Sequence, residues 1–109
     1  MLLIALGLAL PLAVAPQAQS HSVPCTYDTR AGAFHNGRCA FTDGIDAAGN
    51  YVETLQAGGT RVVIVSQDRQ GQWARVTING RPGTRYELNR SSYAATTDDL
   101  GVSLSWGTQ

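Results

Sequence analysis

The run from Thr60 to Ile78 constrains this chain more than any other part of it. Val62-Val63-Ile64-Val65 is continuous and β-branched, Gln67 to Gly71 is polar, and Gln72 to Ile78 alternates with period two. β-Branched side chains are stiff at χ1 and suit a pleated surface. A period of two places alternate side chains on opposite faces of a strand and makes no helical stripe. Asn79-Gly80 then supplies the pair that accepts positive φ at both central positions of a two-residue hairpin turn. The stretch predicts two paired strands, one apolar on both faces and one on a single face, at the middle of a small antiparallel sheet.

The flanking segments extend the same pattern. Val23 to Tyr27 predicts a first edge strand, and Asp28 to Gly37 a loop with Ala31-Gly32 and Asn36-Gly37 as turn signals. Arg38 to Thr42 predicts a short strand, Asp43 to Asn50 a polar connection, and Tyr51 to Gln56 a strand that turns at Ala57-Gly58-Gly59. Arg81-Pro82-Gly83 is expected to prolong the Asn79-Gly80 turn, because Pro82 cannot donate to a ladder. Thr84 to Leu88, Tyr93 to Thr97 and Val102 to Trp106 complete the series, with Asp98-Asp99 as a turn. No stretch after residue 20 holds helical periodicity for three turns. Short strands with turn signals about every 8–12 residues imply an all-β antiparallel meander that closes into a barrel or a sandwich.

With 109 residues there is room for one domain. Residues 1–20 read as a signal peptide and 21–109 as a single small β domain. Leu2 to Leu10 is apolar, Pro11 interrupts it, and small residues follow. The apolar run is too short and interrupted for a transmembrane span, and none is expected in the mature chain. Ala13-Val14-Ala15 and Ala18-Gln19-Ser20 both fit a small-x-small cleavage rule, but Pro16 obstructs the first, so the mature chain is expected to begin at His21. Export to a periplasmic or extracellular compartment favours a disulfide between the two cysteines, Cys25 and Cys39. Closing a loop of roughly 15 residues stabilises by about 3 kcal/mol, which matters in a domain this small.

Charge excludes one class of function. Eight bases, all arginine, balance eight acids and are interleaved with them along the chain. Nucleic-acid binding leaves net positive charge and clustering, so no nucleic-acid partner is expected. Catalysis is not expected either. There is no G-x-S-x-G elbow, neither histidine has a base context, and adjacent Asp98 and Asp99 would point to opposite faces. No cofactor is implied. Asp43, Asp46 and Asn50 could gather oxygen ligands, but Ile45 breaks the EF-hand register and turn capping explains them. His21, as a new N-terminus, would join an α-amine to an imidazole, and His35 could add a second ligand for copper. Asn89-Arg90-Ser91 fits the N-glycosylation pattern of a eukaryotic secretory route.

The aromatic pattern carries the binding expectation. Ala74, Val76 and Ile78 form the core side of their strand, which leaves Trp73 with Arg75 and Thr77 on the other face. A tryptophan beside an arginine suits a binding patch, and turn residues Arg81 and Asn89 extend the candidate set. Val102, Leu104 and Trp106 share a second core face.

The C-terminal third, from Ala74-Arg75-Val76-Thr77-Ile78-Asn79-Gly80 through Tyr86-Glu87-Leu88, Ser92-Tyr93 and Leu104-Ser105-Trp106-Gly107, resembles the periplasmic and membrane-bound inhibitors of c-type lysozyme. The resemblance implies an exported β-barrel with an early cysteine, to which Cys25 corresponds. That family blocks lysozyme with a loop serine and a lysine after the tryptophan. Asn89 stands at the serine position here, and the chain has no lysine. The expectation is an exported, non-enzymatic binding or structural module with an envelope or extracellular protein as partner. Inhibition of a cell-wall-degrading enzyme is the alternative, and copper carriage a third.

Overall fold

A computed structural model describes residues 20–67 and 72–108. Eight strands run in chain order: β1 (His21–Thr29), β2 (Phe34–Ile45), β3 (Tyr51–Ala57), β4 (Thr60–Ser66), β5 (Trp73–Ile78), β6 (Arg81–Asn89), β7 (Ser92–Thr97) and β8 (Val102–Gly107). Each pairs antiparallel with the next, and β8 returns to β1 with Cys25 opposite Trp106 and Thr29 opposite Val102. The sheet is thus a closed barrel. Closure removes the unpaired edges that an open sheet would expose. β1, expected as an edge, pairs on both sides.

Alternation places one side chain in two inside the barrel. Val23, Leu55, Val62, Ile64, Val76 and Ile78 are buried there, with Trp106 and Leu104 from β8. The disulfide Cys25–Cys39 joins β1 to β2 within this core, across a Cα–Cα distance of 5.8 Å. The expected core side of β5 is observed: Ala74, Val76 and Ile78 are buried and Trp73 and Arg75 exposed.

Three expected turns are strand instead. Asn36 and Gly37 lie within β2, opposite Thr26 and Cys25, and the chain reverses earlier, where Thr29 and Ala33 exchange hydrogen bonds. Asp43 to Ile45 likewise belongs to β2 and pairs with Tyr51 to Glu53. Arg81 to Gly83 opens β6 directly, because Asn79 (φ 49°) and Gly80 (φ 82°) complete the turn in two residues. In such a hairpin Ile78 and Arg81 form the hydrogen-bonded pair, so the next pair, Thr77 and Pro82, needs no donor from Pro82 on the β5 side. Its nitrogen faces the far side instead, beyond the last residue of β7.

The β4–β5 ladder pairs only Ile64 to Ser66 with Val76 to Ile78 among the described residues. Asn79 lengthens it: its Oδ1 accepts from Val63 N at 2.8 Å and its Nδ2 donates to Arg61 O at 3.2 Å. The polar turn expected at 67–71 falls mostly outside the described residues, as does the proposed signal peptide. Among the described residues there is no helix and so none long and apolar enough to cross a membrane.

Candidate functional site

Strand register decides what faces inward, and at one end of the barrel it sends two charges into the core. The two-residue turn sets Val76 opposite Gly83 and Ala74 opposite Arg85, and directly opposed residues share a face. Arg85 is therefore inside, 6% exposed, and Glu53 on β3 meets it at 1% exposure. Arg85 donates from Nε to Glu53 Oε1 at 2.6 Å and from Nη2 to Oε2 at 2.8 Å, a bidentate pair. Its guanidinium lies 4.6 Å from the ring centre of Tyr93, 5.6 Å from that of Trp106 and 6.0 Å from that of Tyr51. Burial works against the charge on Arg85, and the hydrogen bonds and charge of Glu53 outweigh it, so the guanidinium pKa lies above its ordinary value.

Around this pair Tyr93 stacks on Trp106 at 5.8 Å, and Tyr51 donates its hydroxyl to Asp43 Oδ2 at 2.8 Å. Burial, the Glu53 charge and the bond to Asp43 all raise the Tyr51 pKa. A cleft of about 180 Å³ opens over these groups, with Phe41 and Thr108 at its walls. The carboxylate of Glu53 is held by Arg85 and that of Asp43 by Tyr51, so the pair acts as a polar plug of the barrel end.

The outer face of β5 and β6 has the opposite character. Trp73 is 53% exposed, and Tyr86, directly opposite it on β6, is 45% exposed. Leu88, the unpaired residue where the β6–β7 register shifts between Glu87 and Asn89, is 60% exposed. Trp73 and Tyr86 form an apolar stripe across the two strands, with exposed Leu88 beyond its end. Past Leu88 it meets a groove of about 370 Å³ floored by small residues, Ser92, Ser105 and Gly107 among them, with Pro24 at its side. Arg75 flanks the stripe, donating from Nη1 to Asp98 Oδ1 at 2.9 Å and from Nη2 to Oδ2 at 2.6 Å, and also to Thr84. Hydrogen bonding by Arg75 lowers the Asp98 pKa.

Of the residues named from sequence, Trp73 and Arg75 are neighbours on this face. Arg81 and Asn89 lie at opposite ends of β6. Arg81 pairs with Asp99 at the Asn79 end, and Asn89 caps its own turn, its Oδ1 accepting from Ser91 N at 2.9 Å. Asp98 and Asp99 serve different partners, as their adjacency implied. Asp46 Oδ1 accepts from the amides of Ala48 and Asn50, each at 2.9 Å, so it is a turn cap. The Asn50 amide leads the effects that lower its pKa. His21 pairs with Phe41 and His35 with Tyr27, six residues further along β1 and about 20 Å away. The two histidines do not share a site.

Tyr86, Leu88, Glu53 and Arg85 were not anticipated. The signal was present in the turn. Taking Asn79-Gly80 as the whole loop sets Trp73 against Tyr86 and turns Arg85 inward; lengthening it through Gly83 loses that register. No protein-family model matches the chain, and no curated protein and no solved structure matches it.

Proposed function

We propose that the protein is an exported, non-enzymatic binding module whose working surface is the outer face of β5 and β6. The observation that carries this reading is the pairing of Trp73 and Tyr86 across the two strands, both about half exposed. Aromatic side chains on a rigid sheet lose little conformational freedom on binding and commonly anchor protein interfaces. The interior supports the same reading, because an eight-stranded barrel filled by its own side chains works through its outside and its rims. The partner is an envelope or extracellular protein presenting an apolar surface with an acceptor near Arg75.

A second reading, inhibition of a cell-wall-degrading enzyme, is favoured by the position of the Asn89–Ser91 turn. It follows Leu88 at the end of the apolar stripe, where a cleft could receive it.

Capture from envelope extract or culture medium, followed by mass spectrometry, names a partner, and the purified pair is then footprinted by amide hydrogen exchange. Slowed exchange at β5 and β6 is expected. Slowing confined to the 89–91 turn, together with loss of c-type lysozyme activity on added protein, would favour the inhibitor. Protection restricted to β1–β4 would overturn both.

A further inference from the structure

Cys25, His35 and Cys39 converge inside the barrel. One ligand atom from each lies within 4.8 Å of the other two. The convergence follows from register: half-buried His35, Gly37 and buried Cys39 alternate along β2 opposite Tyr27, Cys25 and Val23, and position 37 is glycine. A Cβ on Gly37 would stand 3.6 Å from Cε1 and Nε2 of His35, so the imidazole lies over bare backbone, toward the cysteines. His35 Nε2 is 3.0 Å from the carbonyl oxygen of Arg38. A carbonyl only accepts, so Nε2 is the donor, which in the neutral ring leaves the Nδ1 lone pair for a metal. Metal-bound histidines are commonly oriented in this way, by donation from the other nitrogen to a carbonyl.

A void of about 20 Å³ adjoins the cluster, lined by all three residues and by Leu55, Val62 and Leu104. That is enough for one water-sized sphere. We propose that reduction of the Cys25–Cys39 bridge turns these three side chains into a site for one thiophilic d¹⁰ cation, Zn²⁺ or Cu⁺, so that bridge and metal are alternative occupants of one place. Two thiolates and an imidazole select such ions over hard cations. Tetrahedral Zn²⁺ with Zn–S of about 2.3 Å and Zn–N of about 2.0 Å needs its ligand atoms roughly 3.4–3.8 Å apart; the two sulfurs, bonded in the bridge, part to that distance on reduction, and the imidazole already lies within 4.8 Å of both.

The step balances with a dithiol as reductant. Two electrons and two protons pass from the dithiol to the Cys25–Cys39 bridge, and the dithiol closes to its own disulfide. Binding Zn²⁺ or Cu⁺ then releases the two thiol protons to solvent.

The test titrates Co²⁺, then Zn²⁺ or Cu⁺, into the purified protein held reduced without oxygen. Reduced protein is expected to bind one equivalent of Co²⁺ with a thiolate-to-cobalt charge-transfer band, lost on adding Zn²⁺ or Cu⁺. The ion that displaces it at the lower concentration is the preferred occupant. Oxidised protein should bind none. His35→Gln should weaken binding about 100-fold or more while the oxidised variant melts like wild type, since removing a ligand costs at least what disturbing its support does. Bound metal should also slow reoxidation of the thiols. If reduction loosens the barrel, metal should restore its near-ultraviolet circular dichroism. Equal binding by oxidised protein, unchanged affinity in His35→Gln, or a reduced barrel that metal does not restore overturns the proposal.

Discussion

Removing either member of the Glu53–Arg85 pair should cost far more than removing both. Glu53 is 1% and Arg85 6% exposed, and two bonds of 2.6 and 2.8 Å satisfy the charge of each. Arg85→Met leaves a buried carboxylate with no cation. Such losses run to about 3–5 kcal/mol, and the lost contact with the Tyr93 ring adds about 1 kcal/mol. Glu53→Met should fall at the lower end, near 3 kcal/mol, because Arg85 keeps its three aromatic neighbours. The double variant Glu53→Met/Arg85→Met removes both desolvation penalties, and should lie within about 2 kcal/mol of wild type. At roughly 4–8 °C per kcal/mol for a domain this size, Arg85→Met should lower Tm by about 15–50 °C and the double variant by far less. Thermal and urea melts followed by circular dichroism give the three values. A double variant whose loss equals the sum of the single losses would show that the two charges are not coupled, and the polar plug would be refuted.

Three smaller perturbations probe other parts of the barrel. Gly83→Ala should destabilise by about 1–3 kcal/mol in a urea melt, since its Cβ would stand 2.6 Å from Thr96 O and 2.9 Å from Ile78 Cδ1; an unchanged midpoint would mean β6 and β7 are not so close. Asn79→Ala should cost about 2–3 kcal/mol, combining loss of the short polar side chain that lets Asn adopt positive φ with loss of its bonds to Val63 and Arg61, and should speed amide exchange along β4; slow exchange there would contradict it. Asp99 is held at about 2 by the Thr97 hydroxyl, the Gly101 amide and Arg81, below its ordinary 3.8. Its contribution to stability is therefore complete above pH 3.8 and lost as the pH falls toward 2. A carboxyl NMR titration should place its midpoint near 2, and Thr97→Val should raise it; a midpoint of 3.8 in the wild type would refute the contacts.

Local chemistry made much of this architecture legible. The positive φ values of Asn79 and Gly80 follow from the dipeptide, and the buried side of β5 from its alternation. The bridge follows from two cysteines and little else. What escaped was register and closure. Asn36-Gly37 and Arg81-Pro82 are turn-prone by composition, yet composition is silent on whether a ladder continues through them. Pro82 is tolerated because its nitrogen faces away from β5, a property of pairing. Glu53 and Arg85 look like surface residues one at a time, and only their meeting across β3 and β6 makes burial affordable. Pairing of β1 with β8 joins the two ends of the domain, and no local pattern signals it. The outer stripe was half legible: Trp73 followed from alternation, while Tyr86 and Leu88 required the register.

The binding face stands or falls with Trp73→Ala, measured for stability and for affinity toward the captured partner. The ring is 53% exposed, so its removal should change Tm by only a few degrees, while affinity falls by about 2 kcal/mol, roughly 30-fold. A variant that loses about 3–5 kcal/mol of stability, as buried aromatics do, or that binds the partner as wild type does, would contradict an anchor on the outer face of β5 and β6.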